Sequence, residues 1–160
     1  MISILRIKNT KFIEGLNRLL PQLTPSKNTS ITQSDLQEAL RNPNFYLLIA
    51  KDLSQKYPNN FVGMGSIFFQ RNLGRWIAEI HDIVVDENYR NRGAGKKIVM
   101  ELVNVAQDFA RKKKNKIKLY LTSRPSRTEA NNLYLKLGFV MVAQATGEWG
   151  TNLYKMMIYP

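Results

Sequence analysis

One stretch of the chain limits its possible folds more than any other, because a strand, a glycine loop, a long helix and a second strand follow one another directly. The β-rich run Trp76–Val85 comes first. Apolar residues then recur at helical spacing through Gly95–Lys113, and Lys116–Thr122 returns as a strand. Antiparallel neighbours do not need so long a connection. The sequence therefore predicts at least one parallel pair of strands, with the helix packed on the sheet.

Short strands and three further helices account for the remainder of the chain. We predict the strands at Ser3–Ile7, Phe45–Ala50, Phe61–Phe69, Phe139–Ala143 and Leu153–Tyr159. The helices are predicted at Lys11–Leu20, from a capping box at Thr32 to Asn42, and from a capping box at Ser126 to Gly138. Pro21 should end the first helix, and the loop Pro21–Ser30 could border a substrate site. Residues 1–160 are predicted to form a single α/β domain around a mixed, mostly antiparallel sheet.

Composition excludes several classes of chemistry. The chain has no cysteine and one histidine, His81, which excludes disulfides, thiolate nucleophiles, iron–sulfur clusters and His-rich metal sites, so no metal is expected. The apolar runs are far shorter than the roughly 18 to 20 residues of a membrane span. The first residues also lack the pattern of a secretory signal. We therefore expect a cytoplasmic protein with no membrane partner.

The formal charge of +12 creates a positive potential that attracts anions. Nucleic acid, anionic membrane and phosphorylated small molecules are the candidate partners. The densest run of cations, Arg111–Lys114, stands at a predicted helix end, where positive charge is favourable. No aromatic residue is interleaved with it for base stacking. We interpret the run as solvated surface, and a nucleic-acid partner is not favoured.

The loop Arg90–Lys96 lies where a strand passes into a helix, and such a junction suits a phosphate or diphosphate. Unpaired main-chain N–H groups and the positive end of the helix dipole face outward there. Two better-known phosphate loops do not fit the spacing. A P-loop would need glycine where Arg90 stands, and a dinucleotide fingerprint would need a third glycine where Ile98 stands.

The spacing that does fit is Arg-x-x-Gly-x-Gly, at Arg90, Gly93 and Gly95. With the strand Glu79–Asp86 before it and Ala130–Phe139 after it, this pattern resembles the GNAT superfamily of acyl-CoA-dependent N-acetyltransferases. The resemblance implies a GNAT-like mixed, mostly antiparallel sheet of six to seven strands with about four flanking helices. It also implies an N-acetyltransferase that uses acetyl-CoA as co-substrate, with direct transfer to a primary amine in a ternary complex.

The resemblance also implies which residues bind the cofactor. The diphosphate would be held at Arg90, Arg92, Gly93, Ala94, Gly95 and Lys96. The backbone of Ile83, Val84 and Val85 would bind the pantetheine arm, although these residues are also consistent with an ordinary core strand. Lys136 could meet the 3′-phosphate or simply be solvated. Arg127 stands where many family members have asparagine, and it could contact a phosphate instead.

The chemistry needs a base that takes a proton from the amine and an acid that protonates the departing thiolate. Glu79 stands eleven residues before Arg90, where histone-type family members carry a glutamate base. In a strand, His81 would lie on the same face about 6.6 Å away, close enough to share a water. Glu79, His81 or a water therefore remains open as the base, and both side chains could also be ordinary exposed polar groups. Tyr134 matches the family's proton donor, although an aromatic on an apolar stripe is also usual in a core.

The acceptor is not determined by these residues. A small molecule or a protein amine is possible, and the positive charge favours an anionic or neutral acceptor over a polyamine. The run Glu79–Val85 is similar to the corresponding strand of glucosamine-phosphate acetyltransferases. A homodimer through the C-terminal strands is conceivable. The alternative hypothesis is a non-catalytic CoA-sensing or nucleic-acid-binding module on the same fold.

Overall fold

The computed structural model describes residues 1–23, 29–57, 59–147 and 150–160. Its helices are α1 (Ile13–Leu23), α2 (Gln33–Arg41), α3 (Ala94–Lys113) and α4 (Thr128–Lys136). Its strands are β1 (Ile2–Ile7), β2 (Phe45–Asp52), β3 (Phe61–Asn72), β4 (Arg75–Val85), β5 (Ile117–Ser123), β6 (Val140–Ala143) and β7 (Asn152–Ile158). A 3₁₀ turn occupies Glu87–Tyr89. The predicted mixed α/β fold, with four helices and seven strands in the described residues, is confirmed.

The seven strands form one sheet in the order β1-β2-β3-β4-β5-β7-β6. β4 and β5 run parallel, with Trp76 opposite Ile117 and Ile80 opposite Leu121. β7 pairs antiparallel with both β5 and β6, and β1 pairs antiparallel with β2. The predicted parallel pair is therefore confirmed. The 20-residue helix α3 makes the connection between β4 and β5, as the sequence pattern indicated.

Two helix ends differ from the prediction. Pro21 does not end α1, which continues to Leu23, because a proline in the last turn removes only one backbone hydrogen bond. The capping box predicted at Ser126 is also wrong. Helix α4 begins after Arg127, whose side chain makes no capping hydrogen bond. By contrast, the capping box at Thr32 is present, with Asp35 as its reciprocal partner. Residues 24–28 of the predicted loop lie outside the described residues.

The chain divides into two compact units, of which the first comprises Met1–Ile67 and Asp82–Leu102. Its core is built from the apolar faces of α1, α2, β1, β2 and β3. The buried members are Ile7, Leu16, Leu19, Leu36, Leu47, Ile49, Phe61, Met64 and Val84. Helix α1 approaches β3 so closely that a Cβ added at Gly15 would stand 2.6 Å from the Phe61 ring. The glycine at this position therefore fixes how deeply α1 lies on the sheet.

In the same unit, β3 is covered by the first half of α3. A Cβ at Gly63 would stand 2.8 Å from Cδ1 of Ile98 and 2.9 Å from the carbonyl oxygen of Val84. A Cβ at Gly65 would stand 2.9 Å from Cγ2 of Ile98. Contacts this short show that only glycine fits in β3 at these two positions. The start of α3 therefore packs directly on β3, the neighbour of β4 in the sheet.

The second unit comprises Phe68–His81 and Val103–Pro160. The ring of Phe109 on α3 stacks on Phe69 of β3 at a centroid distance of 3.8 Å, and Trp76 meets Phe109 edge-on at 5.0 Å. The fully covered residues of β5 and β7 include Ile117, Leu119 and Tyr154. Within the described ranges of the whole chain, no helix is both long and apolar enough to cross a membrane.

Candidate functional site

The loop between β4 and α3 has the backbone geometry of a concave turn. Asn91 and Gly93 adopt left-handed conformations, with φ of 60° and 80°. Glycine adopts this conformation without a steric penalty, and asparagine tolerates it better than most residues. Arg90, Arg92 and Lys96 are all exposed. The sequence-predicted binding loop is therefore an exposed turn with three cationic side chains and belongs to the first unit.

The start of α3 supplies main-chain donors next to this turn. The helix begins at Ala94, and its first bond of helical spacing joins the N–H of Lys97 to the carbonyl of Gly93 at 3.1 Å. The N–H groups of Ala94, Gly95 and Lys96 precede it and have no acceptor one turn earlier in the helix. A Cβ added at Gly93 would meet no atom of the described residues within 4 Å. The space beside Gly93 is therefore open, directly before these donors in the chain.

The cationic side chains of this segment each make a different contact. Nε of Arg90 donates to the carbonyl of Val85 at 3.3 Å. The Arg92 guanidinium lies 5.2 Å from the centroid of the Tyr89 ring. Nζ of Lys97, which is also exposed, donates to the carbonyl of Ile2 on β1 at 3.1 Å. These contacts hold Arg90 and Arg92 near the turn.

The end of β4 presents its backbone groups to two sides. The N–H of Asp86 donates to the carbonyl of Val62 on β3 at 3.0 Å. Because backbone groups alternate along a strand, Val84 also directs its N–H and C=O toward β3. Ile83 and Val85 direct theirs to the opposite side. Of the three residues predicted to bind pantetheine, Ile83 and Val85 therefore have the backbone orientation that such binding needs.

In the second unit, β4 brings the predicted acid–base pair together. Nε2 of His81 lies 3.2 Å from Oε2 of Glu79, which is a direct contact and closer than the water-bridged spacing expected from strand rise. Both side chains are about half exposed, at 51% for His81 and 52% for Glu79. The pair is thus coupled by a hydrogen bond and reachable from solvent.

Asp82 adopts an irregular backbone within β4. It is exposed and left-handed, with φ of 55°. This conformation interrupts the alternation of the strand. The hydroxyl of the buried Ser66 donates to Oδ2 of Asp82 at 3.1 Å. No sequence pattern indicates such an irregularity, because aspartate is common in regular loops as well as at left-handed positions.

Tyr134 on α4 is 5% exposed. Its ring lies 5.6 Å from that of Tyr154 and 6.1 Å from that of Phe139, measured between centroids. Burial raises the pKa of the Tyr134 phenol, and the nearby positive charge of Arg127 offsets part of that increase. The hydroxyl is therefore protonated at neutral pH, as a proton donor must be. The predicted core position and the predicted role as an acid are compatible.

The remaining predicted site residues lie at the two ends of α4. Arg127 precedes the helix and is exposed, and Lys136 is exposed in the last turn. The positive charge of Arg127 offsets part of the burial-induced rise in the pKa of Tyr134. In the described part of the chain, no group of three or more histidine, aspartate or glutamate side chains could hold a metal ion.

Comparison with known proteins identifies what this arrangement resembles. The family model "Acetyltransferase (GNAT) family" matches residues 12–139. Glucosamine 6-phosphate N-acetyltransferase 1 of Dictyostelium discoideum is 32% identical over 97 residues. That alignment covers 57% of this chain and 59% of the relative, so the chain matches about three fifths of the relative's length.

Solved structures share the fold over nearly the whole chain. Arabidopsis thaliana NAA60 in complex with acetyl-CoA superposes with a TM-score of 0.77 at 17% identity and covers 99% of each chain. An aminoglycoside acetyltransferase from an uncultured soil metagenomic sample, solved with trehalose, has a TM-score of 0.69 at 22% identity. That match covers 92% of this chain and 94% of the other.

Proposed function

The chain belongs to the acetyltransferase (GNAT) family, and from this premise we propose that it transfers the acetyl group of acetyl-CoA to a primary amine in a ternary complex. The observation that carries the proposal is the exposed, unobstructed left-handed turn at Gly93, which immediately precedes the first N–H groups of α3. The family match runs through both compact units. We therefore treat residues 1–160 as one acetyltransferase domain.

The diphosphate of CoA would lie on the N–H groups of Gly93, Ala94, Gly95 and Lys96. The side chains of Arg90, Arg92 and Lys96 would add charge-assisted hydrogen bonds. Ile83 and Val85 would bind the pantetheine arm through their outward backbone groups, and Val84 would support them from its buried position in β4. Arg127 and Lys136 remain predicted contacts to phosphate groups of the cofactor.

The chemistry requires one bond to form and one to break. The neutral amine nitrogen attacks the thioester carbonyl carbon, so that a C–N bond forms and the C–S bond of acetyl-CoA breaks. The proton lost by the amine goes to Glu79, directly or through His81 or a water, and the hydrogen bond between the two side chains supports this route. Tyr134 gives its phenolic proton to the departing thiolate, and solvent restores it.

We propose that the acceptor carries a negative charge besides its amine. The net charge of +12 attracts such molecules and repels polyamines. The relative with 32% identity is described as a glucosamine 6-phosphate N-acetyltransferase, an enzyme whose acceptor combines an amine with a phosphate. Turnover is compared across a panel of amines. Glucosamine 6-phosphate and glucosamine differ only in the phosphate, so their ratio measures its effect. Peptides with free N-termini test protein acceptors.

A homodimer and a cytoplasmic location also belong to the proposal. β6 stands at the end of the strand order, and all four of its residues, Val140–Ala143, are apolar and exposed. Such an edge suits pairing with a second copy. The cytoplasmic location predicted from the sequence remains a prediction.

The function is tested by a matched pair of variants at Gly93. Asparagine and aspartate both tolerate a left-handed backbone and have nearly the same shape, but only aspartate adds a negative charge in front of the helix. Isothermal titration with acetyl-CoA should show binding to the wild type and to Gly93→Asn, and binding weakened at least about tenfold in Gly93→Asp. Equal affinities in the two variants would exclude this turn as the diphosphate site.

Turnover is measured separately from binding. A thiol-reactive dye should report CoA release that depends on an added amine. Acetyl-CoA binding without amine-dependent release across the panel would favour the non-catalytic CoA-sensing module. Absence of acetyl-CoA binding by the wild type would overturn the proposal as a whole.

A further inference from the structure

A buried ion pair connects α1 with the segment that leads into the glycine turn. Nη1 of Arg18 donates to Oδ2 of Asp86, and Nη2 of Arg18 donates to the carbonyl of Phe61. Asp86 is 2% exposed, whereas the Arg18 side chain is one third exposed. The guanidinium thus joins the start of β3 to the residue that follows β4. The guanidinium makes the two bonds from two nitrogens held in a fixed plane, a geometry that the single nitrogen of a lysine does not reproduce.

Asp86 also caps the 3₁₀ turn that comes next in the chain. Its second carboxylate oxygen, Oδ1, accepts from the N–H of Asn88 at 3.0 Å, and its carbonyl accepts from the N–H of Tyr89 at 2.8 Å. Both oxygens of the carboxylate are therefore engaged, one by α1 and one by the turn Glu87–Tyr89. Because one carboxylate makes both contacts, the orientation that Arg18 gives to the Asp86 side chain also fixes the position of the turn.

Gln22, one helical turn after Arg18, provides a second connection. Its Oε1 accepts from the N–H of Glu87 at 2.9 Å. Residues four apart lie on the same face of a helix, so α1 holds both the cap and the first residue of the 3₁₀ turn. The turn ends at Tyr89, whose ring lies against Arg92, and Arg90 follows it immediately. Contacts within the first unit therefore lead from α1 to the proposed diphosphate loop.

We infer that Arg18 is a positioning residue for the cofactor: through Asp86, and with Gln22, it fixes the entry to the loop so that the N–H groups of residues 93–96 face the diphosphate. This role rests on the proposed function of the loop. Arg18 lies 68 positions from Asp86, and Gln22 lies 65 positions from Glu87, so no local sequence pattern indicates these contacts. An arginine on an amphipathic helix is otherwise indistinguishable from a solvated one.

The test compares Arg18→Met with two ligands that share the diphosphate. Acetyl-CoA carries the whole cofactor, and 3′-phosphoadenosine 5′-diphosphate carries the nucleotide and diphosphate without the pantetheine arm. If Arg18 sets the loop, both ligands should lose affinity by the same factor, about 10- to 100-fold, measured by titration at a temperature where the variant is folded. Gln22→Ala should lose less, because it removes one neutral hydrogen bond.

Two further variants separate positioning from mere stability. Arg18→Lys keeps the charge but not the bond to Phe61, and it should recover part of the lost affinity. Arg41→Met, an exposed arginine on α2, makes the same chemical change without touching the turn and should bind as the wild type does.

An unchanged affinity of folded Arg18→Met for both ligands would overturn the inference. So would a loss confined to acetyl-CoA, because the nucleotide fragment shares the diphosphate. Either result leaves the proposed function intact as long as the wild type binds acetyl-CoA and Gly93→Asp binds it more weakly than Gly93→Asn does. Failure of the proposed function is recognised by the wild type and the Gly93 pair alone.

Discussion

Nε2 of His81 lies 3.2 Å from Oε2 of Glu79, on the exposed face of β4 and two residues apart along the strand. Side chains at positions i and i+2 share a face of a strand, so β4 presents the two groups together. In the proposed mechanism the two side chains would accept the amine proton together, because this hydrogen bond joins them.

Replacing Glu79 by glutamine should reduce turnover strongly. Glutamine keeps the size and the hydrogen bond to His81 but cannot hold a proton taken from the amine. We expect kcat to fall by at least about 100-fold, the usual contribution of a general base, with the Kd for acetyl-CoA unchanged. The measurement is amine-dependent thiol release at saturating acetyl-CoA. Glu38→Gln, at an exposed position on α2, is the matched control.

The outcome for His81→Asn distinguishes two versions of this mechanism. A loss similar to that of Glu79→Gln would show that the pair acts as a unit. Full activity of His81→Asn would leave Glu79 as the base alone, and full activity of Glu79→Gln would exclude the glutamate.

Tyr134→Phe tests the acid. The raised pKa of Tyr134 keeps its hydroxyl protonated at neutral pH, and the phenyl ring would preserve the packing against Phe139 and Tyr154. We therefore expect kcat to fall by about 10- to 100-fold while the free energy of unfolding and the Kd for acetyl-CoA stay close to wild type. Tyr154→Phe, buried in the same cluster, is the control. Equal effects of the two variants would mean that Tyr134 is only a core residue.

Local patterns explain why so much of the fold could be predicted. The strand–loop–helix–strand passage dictated the parallel β4–β5 pair, and the capping box at Thr32 marked the start of α2 correctly. The prediction that Pro21 ends α1 was wrong, because a proline destabilises the middle of a helix far more than its last turn, where Pro21 lies. At Ser126, the pattern of a capping box was present, but the chain starts α4 one residue later than expected.

The parts of the candidate site that could not be predicted depend on contacts between distant segments. Arg18 and Asp86 are 68 positions apart, and Ser66 and Asp82 are 16 apart. Neither spacing has a local periodicity that a sequence reveals. The left-handed backbone of Asp82 likewise cannot be predicted from its residue type, because aspartate also adopts right-handed and extended conformations.

The ion pair of Arg18 with Asp86 should make stability depend on pH. Burial raises the pKa of Asp86, but the hydrogen bonds from Arg18 and Asn88 and the charge of Arg18 more than offset it, so the pKa lies below its usual value. A carboxyl whose pKa is lowered by folding stabilises the fold above its unfolded value of about 3.9. That contribution is lost as the pH falls through the lower folded value.

Arg18→Met should therefore cost about 3 kcal/mol of unfolding free energy at pH 7, where it leaves a buried carboxylate unpaired. Without the arginine, burial raises the pKa of Asp86, so the variant takes up a proton on this carboxyl as the pH falls, and its difference from the wild type should be smaller at pH 3. Urea unfolding at the two pH values measures both quantities, with Arg41→Met as the control. A difference that is the same at pH 7 and pH 3 would show that the charge of Asp86 is not involved.

The edge strand β6 leads to a prediction about assembly. Val140, Met141 and Val142 are 64%, 43% and 49% exposed, an apolar surface on a sheet edge in a chain of net charge +12. Pairing β6 with a second copy would cover this surface and satisfy its backbone groups. We expect the wild type to be a dimer in size-exclusion chromatography with light scattering. Higher ionic strength should favour the dimer, because salt screens the repulsion between two positive copies.

A lysine on the edge should disrupt this pairing. Val142→Lys places a charge where the second copy would lie, so it should be monomeric at concentrations where the wild type is dimeric. Leu73→Lys introduces the same charge at the fully exposed β3–β4 turn and should leave the dimer intact. A monomeric wild type would exclude the dimer, and a dimeric Val142→Lys would place the contact elsewhere. Both variants have a net charge of +13 (+12 and one added lysine). A difference between them therefore reflects where the charge is placed.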